Sequence, residues 1–271
     1  LTGPGRPLAG RSVLVTRNPG EWPALLVRLE ELGASATFRS PTIQAAPADS
    51  DAVRSAVGAL DAYAWVAITS GNGVRFLAEA AERAGTSIGG ATPRFACVGA
   101  GTARVLVSIT GRAADLVAED GTGRSLALAL LSRLGAGERA LVVRPETSAG
   151  GLERTLREGG ADFDEVAVYR TLPAPWVGEL AESVARGHFD VVVFTAPSAL
   201  RSILDASGAA GDRVASALAR AARVAIGPTT AEALVEASFL PDAVAGRPDE
   251  EAVAAAIVAA VARRVESGGL C

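Results

Sequence analysis

Apolar positions along this chain fall into two alternating patterns. Short unbroken runs, such as WVAI at 65–68 and VVVF at 191–194, carry no polar member. Such runs predict strands buried on both faces of a parallel sheet. After each run come small, hydroxyl or glycine residues, and then apolar residues at helical spacing. In VAITSGNGVRFL (66–77) the strand stops at Thr69-Ser70-Gly71-Asn72-Gly73 and the helical spacing starts at Val74. Strand, turn and helix alternate in this way, the order of an α/β fold with right-handed crossovers. In open sheets of this kind ligands bind beyond the carboxyl ends of the strands. The turns after residues 17, 69, 99, 144, 195 and 227 are therefore the predicted site positions.

The pattern also repeats. LVTR (14–17) recurs as LVVRPE (141–146), and the helix end RLEELGA (28–34) as TLREGGA (155–161). WVAITSGNGVRFL (65–77) recurs as VVVFTAPSALRSIL (191–204), and ACVGAGTARVL (96–106) as VAIGPTTAEAL (224–234). ADLVAEDGTGRSLALAL (114–130) matches PDAVAGRPDEEAVAAAI (241–257). Gly33 faces Gly160, Thr69 faces Thr195 and Gly99 faces Gly227, each at a spacing of about 127 residues. Blocks in one order at one spacing predict two copies of a single α/β unit.

Composition narrows the class. Of 271 residues, 49% are hydrophobic but only 4% aromatic, with 30 glycines. That suits a Val, Leu, Ile and Ala core, in one large domain or two ordinary lobes. All 26 basic residues are arginine. A net charge of −4 without an arginine-rich run argues against general nucleic-acid binding. The longest apolar segment, AVAAAIVAAVA (252–262), is too short to span a bilayer and predicts a surface helix. LTGPGRPLAGR has no apolar core of signal length, and Cys97 and Cys271 make neither a disulfide framework nor a metal site. A cytoplasmic protein is expected, and a monomer, since no heptad or apolar patch stands out.

The turns carry the candidate chemistry. Asn18-Pro19-Gly20-Glu21 and Thr229-Thr230-Ala231-Glu232 both show capping-box spacing. Thr69-Ser70, Thr102 and Thr195 through Ser198 are similar helix openings. One reading is local: caps satisfy orphan amides, at about 1 kcal/mol each. The other is collective: helix starts gathered on one side of two sheets attract anions. Arg17 and Arg144 end matched strands, where a guanidinium either meets solvent or forks onto a carboxylate. GAGTAR (99–104) has Arg104 where the dinucleotide fingerprint needs its third glycine, and no phosphate loop exists. His188 lacks an evident carboxylate or cysteine partner and reads as a structural or surface residue. Tyr169, which shares its type only with Tyr63, ends a strand before a proline-bearing connector; packing and chemistry are both open. No metal or cofactor is expected, so any chemistry must run without them.

Taken in order, PLAGRSVLVTR, TSGNGV, VGAGTA, VYRT, VVVFTAPSAL and IGPTTAEAL resemble the uroporphyrinogen-III synthases, over residues 7–262. The resemblance implies two similar α/β lobes across a cleft, each a flavodoxin-like parallel sheet flanked by helices. Residues 1–38 with 175–271 would form lobe one and 46–167 lobe two. Segments 39–45 and 168–174 would be an antiparallel pair of linkers, each holding a proline, and would act as a hinge. The implied reaction closes hydroxymethylbilane, a linear tetrapyrrole with eight carboxylates, into uroporphyrinogen III. Water leaves, the last ring inverts through a spirocyclic intermediate, and no cofactor takes part. Transient hand-over from hydroxymethylbilane synthase is expected, with no nucleic acid or membrane partner.

By that resemblance Tyr169 assists departure of the hydroxide. Arg17, Thr69, Ser70, Gly71, Asn72, Gly99, Thr102, Arg144, Thr195, Ala196, Pro197, Ser198, Gly227, Thr229 and Thr230 are expected to hold the substrate. One departure stands out: the family's Phe-Thr-Ser is here Phe194-Thr195-Ala196, one hydroxyl short, with Ser198 nearby to compensate. A non-catalytic tetrapyrrole-binding or regulatory relative is the alternative, and an unrelated two-lobed small-molecule receptor the third reading.

Overall fold

The computed structural model describes residues 5–148 and 150–268; Cys271 lies outside them. The chain opens with β1 (Ser12–Val15), α1 (Pro23–Glu31) and β2 (Ser35–Phe38). It continues through β3 (Thr42–Ala45), α2 (Ser50–Gly58), β4 (Trp65–Ile68), α3 (Gly71–Arg83), β5 (Arg94–Cys97), α4 (Ala100–Thr110) and β6 (Leu116–Val117). Next come α5 (Gly123–Leu131), β7 (Arg139–Pro145), α6 (Gly151–Glu158) and β8 (Asp162–Pro173). The last part holds α7 (Val177–Ala185), β9 (Val191–Phe194), α8 (Pro197–Ala206) and α9 (Gly211–Arg220). It closes with β10 (Ala222–Ala225), α10 (Pro228–Glu236), β11 (Ala243–Val244) and α11 (Glu250–Glu266).

Two compact units result. Residues up to Ile43 and from Pro173 onward form the first, and Gln44–Leu172 the second. The first holds a sheet of order β11-β10-β9-β1-β2, the second a sheet of order β3-β8-β7-β4-β5-β6. Every pairing in the first sheet is parallel, as are those joining β8, β7, β4, β5 and β6. The chain passes between units within β3 and at the end of β8, which are neighbours in the second sheet.

The internal repeat explains the matching orders. Through it β1, β2, β9, β10 and β11 correspond to β7, β8, β4, β5 and β6, and both sheets then read alike. Neither unit is one copy of the repeat. The first sheet takes β1 and β2 from the first copy and β9 to β11 from the second; the second sheet does the reverse.

Burial follows the period-two geometry of strands. In β9, Val191 and Val193 pack beneath α1 and α11, while Val192 and Phe194 pack beneath α7, α8 and α9. In β4, Val66 and Ile68 face α2, α3 and α4, and Trp65 and Ala67 face α5 and α6. Burying both faces is why these strands need continuous apolar runs; each Val, Ile or Phe contributes about 1.5–3 kcal/mol. The Ala-rich segment 252–262 is the body of α11, which buries one face through Val253, Ile257, Ala260 and Val261. Among the described residues no helix is long and apolar enough to cross a membrane.

Strand order reverses between β1 and β9 in one sheet and between β7 and β4 in the other. At such a switch point successive connections leave for opposite faces and open a crevice at the strand ends, where α/β sheets bind ligands. Two of the predicted turns flank each reversal.

Candidate functional site

In the second unit the segment Thr69–Gly73 forms the first turn of α3. Ser70 is its N-cap, with extended backbone, and its Oγ accepts a hydrogen bond from the Gly73 amide at 3.0 Å. The glycines serve packing. A Cβ on Gly71 would come within 3.0 Å of Val105 Cγ2, and one on Gly73 within 3.1 Å of Ile68 Cγ2. Their absence lets α3 settle against α4 and over the ends of β4 and β7. The local, capping reading of this turn is therefore correct as far as it goes.

The same Ser70 hydroxyl lies 3.1 Å from the Tyr169 hydroxyl. Tyr169 reaches it because β8 carries a bulge opposite Arg144 and Pro145, so that Pro145 pairs with Tyr169. Both Val168 and Tyr169 then face the α2, α3 and α4 side, which strict alternation would forbid. The tyrosine ring stacks on Phe76 with centroids 5.5 Å apart and only 7% of the residue exposed. Burial raises its pKa by desolvating the phenolate, and the Ser70 hydrogen bond pulls the other way more weakly. The result is a neutral phenol, aimed by a helix cap, at the end of a strand.

The other predicted residues of this unit are placed as follows. Thr69 donates its hydroxyl to Val143 O at 3.3 Å, tying β4 to β7 across the reversal. Asn72 accepts from Arg75 at 3.2 Å. Gly99 is the N-cap of α4, without a side-chain bond to the helix, and Thr102 is buried inside that first turn. Arg144 differs from the expectation of a guanidinium open to a ligand carboxylate. Its Nε lies 3.0 Å from Glu165 and 3.5 Å from Glu153, and its Nη1 donates to the carbonyls of Pro145 and Glu146. The protein's own oxygens take its Nε and Nη1.

In the first unit the reversal is locked by two threonines. Thr195 donates its hydroxyl to Thr16 O at 2.8 Å, while the Thr195 amide donates to Thr16 Oγ1 at 3.0 Å. Thr16 in turn donates to Val193 O at 2.9 Å. Thr195 thus shapes the turn. Arg17 forms an ion pair with Glu21 at 2.6 Å and lies 4.5 Å over the Trp22 ring.

Both predicted capping boxes are absent. Asn18 and Glu21 bracket a single 3-10 turn, Pro19–Glu21, with no side-chain cap, and α1 begins only at Pro23. α10 begins at Pro228 with Gly227 as its cap, the place that Gly99 takes in α4. Thr229 is consequently exposed and Thr230 buried within the turn. In α8 Pro197 takes the first position and Ala196 is the cap. Ala196 is the repeat counterpart of Ser70, so the missing hydroxyl is the capping one. Ser198, half-buried in the first turn of α8, makes no hydrogen bond among the described residues. His188 is exposed.

Sequence reasoning missed Thr16, Phe76, Glu153 and Glu165. The repeat places Val143 opposite Thr16 and so gave no signal there. Phe76 looked like one more apolar residue of a helix face. The two glutamates reach Arg144 from separate elements.

Each unit, with a doubly wound parallel sheet and turns of hydroxyls and free helix amides at its reversal, has the makings of an α/β small-molecule site. The family model described as Uroporphyrinogen-III synthase HemD matches residues 24–255, and the chain belongs to this family. A porphyrin biosynthesis protein HemD of Ruminiclostridium josui is 27% identical over 205 residues, 73% of this chain. The chain spans only 40% of the length of that curated relative. A mutant uroporphyrinogen III synthase of Thermus thermophilus is similar in structure, with a TM-score of 0.64 and 25% identity over 95% of this chain and all of that one. The uroporphyrinogen-III synthetase of Helicobacter pylori shares the fold, with a TM-score of 0.56 and 16% identity over 90% and 96% of the two chains.

Proposed function

We propose that this chain is a uroporphyrinogen-III synthase that converts hydroxymethylbilane to uroporphyrinogen III. Family membership supports the reading, and one observation carries it to residues: the hydrogen-bonded Ser70–Tyr169 pair at the strand ends of the second unit. The hydroxymethyl group leaves when a pyrrole nitrogen pushes electrons toward its carbon. The departing oxygen needs a donor. Tyr169, held neutral by burial, donates a hydrogen bond to it, with its direction set by Ser70. A phenol with an ordinary pKa of about 10 is a weak acid, so it assists by hydrogen bonding rather than by complete proton transfer. The azafulvene left behind is attacked by the substituted carbon of the terminal ring. The resulting spirocycle fragments and recombines with that ring inverted.

Closure without a catalyst gives the uninverted isomer, so the protein's main contribution is positioning. First-turn amides of α3, α4, α8 and α10, together with Ser198, are the proposed holders of substrate carboxylates. The tendency of the substrate to close unaided favours direct hand-over from hydroxymethylbilane synthase. The test supplies freshly generated hydroxymethylbilane and resolves the oxidised products by isomer. Predominantly type III product is expected. Type I alone, with measurable tetrapyrrole binding, would make the chain a binding or regulatory module; neither product excess nor binding would make it a receptor for something else.

A further inference from the structure

Arg170 is an arginine with nothing to hold. The other described arginines that are withdrawn from full exposure each reach a carboxylate or carbonyl oxygen. Arg94 pairs with Glu138 at 2.8 Å and Arg223 with Asp242 at 3.1 Å, while Arg112 donates to backbone carbonyls. Arg170 is half-buried, makes no hydrogen bond or ion pair among the described residues, and its Nε is shielded from solvent without an acceptor. Two further side-chain nitrogens share that orphan status, and neither is comparable. Trp65 Nε1 carries no charge, and Arg264 Nε has Asp242 at 2.9 Å.

A guanidinium nitrogen shielded from water with no acceptor is an unsatisfied donor, which costs the fold that carries it. The position is equally telling. Arg170 follows Tyr169 directly on β8, beyond the bulge, at the end of the sheet where the turns gather. A guanidinium offers a planar fork of donors matched to a carboxylate.

We propose that Arg170 is a specificity-determining contact that takes one carboxylate of the tetrapyrrole beside Tyr169. This rests on the synthase reading above and adds to it a residue outside the turns. The bound carboxylate would supply the acceptor that the protein withholds, and would fix the chain of pyrroles next to the phenol.

The test compares Arg170→Gln and Arg170→Leu with the unmodified full chain. It measures KM and kcat for type III formation, affinity for the octacarboxylate uroporphyrin III by fluorescence quenching, and the thermal midpoint. Both variants should weaken uroporphyrin binding and raise KM by about tenfold or more, with a smaller change in kcat. Arg170→Leu should leave the midpoint unchanged or raise it, because a shielded donor without an acceptor is removed. Unchanged KM and uroporphyrin affinity overturn the proposal. So does a lowered midpoint in both variants, which would assign Arg170 to the fold. If the chain makes no type III product yet the Gln variant loses uroporphyrin affinity, the synthase reading fails and Arg170 stands as a carboxylate contact.

Discussion

At the scale of single residues, the Ser70 hydroxyl connects structure with chemistry. It accepts from the first turn of α3 and meets the Tyr169 phenol in one arrangement. Its two roles separate experimentally. Tyr169→Phe keeps the ring on Phe76 and removes only the donor, so turnover should fall by about 10- to 100-fold with stability nearly unchanged. Unaltered turnover in the folded variant would take Tyr169 out of the reaction. Ser70→Ala removes the cap as well, and should cost about 1 kcal/mol in urea unfolding besides lowering turnover. Ionisation offers a further check, since Tyr63 and Tyr169 are the chain's two tyrosines. Burial raises both pKa values, that of Tyr63 to about 12 with help from Asp164. A raised folded pKa favours the neutral form. The stability it contributes is complete below the unfolded value near 10 and is lost as pH climbs through the folded values. Tyrosinate absorbance should therefore appear only above about pH 10; a lower midpoint would contradict the burial of Tyr169.

At the scale of elements, glycine has opposite meanings at two helix starts. Gly73 is buried where α3 crosses β4 and β7, and a methyl group there meets Ile68 at 3.1 Å and Ser70 Oγ at 3.4 Å. Gly73→Ala gains helix propensity of about 1 kcal/mol but overpacks by about 1–3 kcal/mol, so net destabilisation is expected. Gly178, exposed in the first turn of α7, has open space around it, and Gly178→Ala should stabilise by about 0.5–1 kcal/mol. Urea midpoints moving in the same direction would refute this contrast. The elements were legible in the sequence because strands buried on both faces must be continuously apolar, and the repeat then showed which strands correspond. Cap positions were less legible: the caps of α8 and α10 fall on Ala196 and Gly227, which have no side chain to bond the helix. The bulge that turns Tyr169 toward α3 left no local sign, and the acids that occupy Arg144 come from the next two elements, α6 and β8, whose approach to it only the folded chain reveals.

At the scale of the whole molecule, the interleaving of the two copies decides where the chain can be divided. A fragment covering Gln44–Leu172 retains β4 to β8 and should unfold cooperatively in urea on its own. Cutting between the copies, after residue 135, separates β4, β5 and β6 from β7 and β8, and leaves β1 and β2 without β9. Neither half should fold. A cooperative transition in either half, or none in the 44–172 fragment, would refute this division. The same arrangement imposes a schedule on synthesis. Val15 lies beside Val193 in the finished sheet, yet at about 5–20 residues per second the ribosome makes them roughly 9–36 s apart. For that interval β1, α1 and β2 exist without their partner strand while the whole second unit emerges. The first segment to be translated is thus among the last to find its place, and until then its apolar strands are a client for whatever in the cell shields nascent chains.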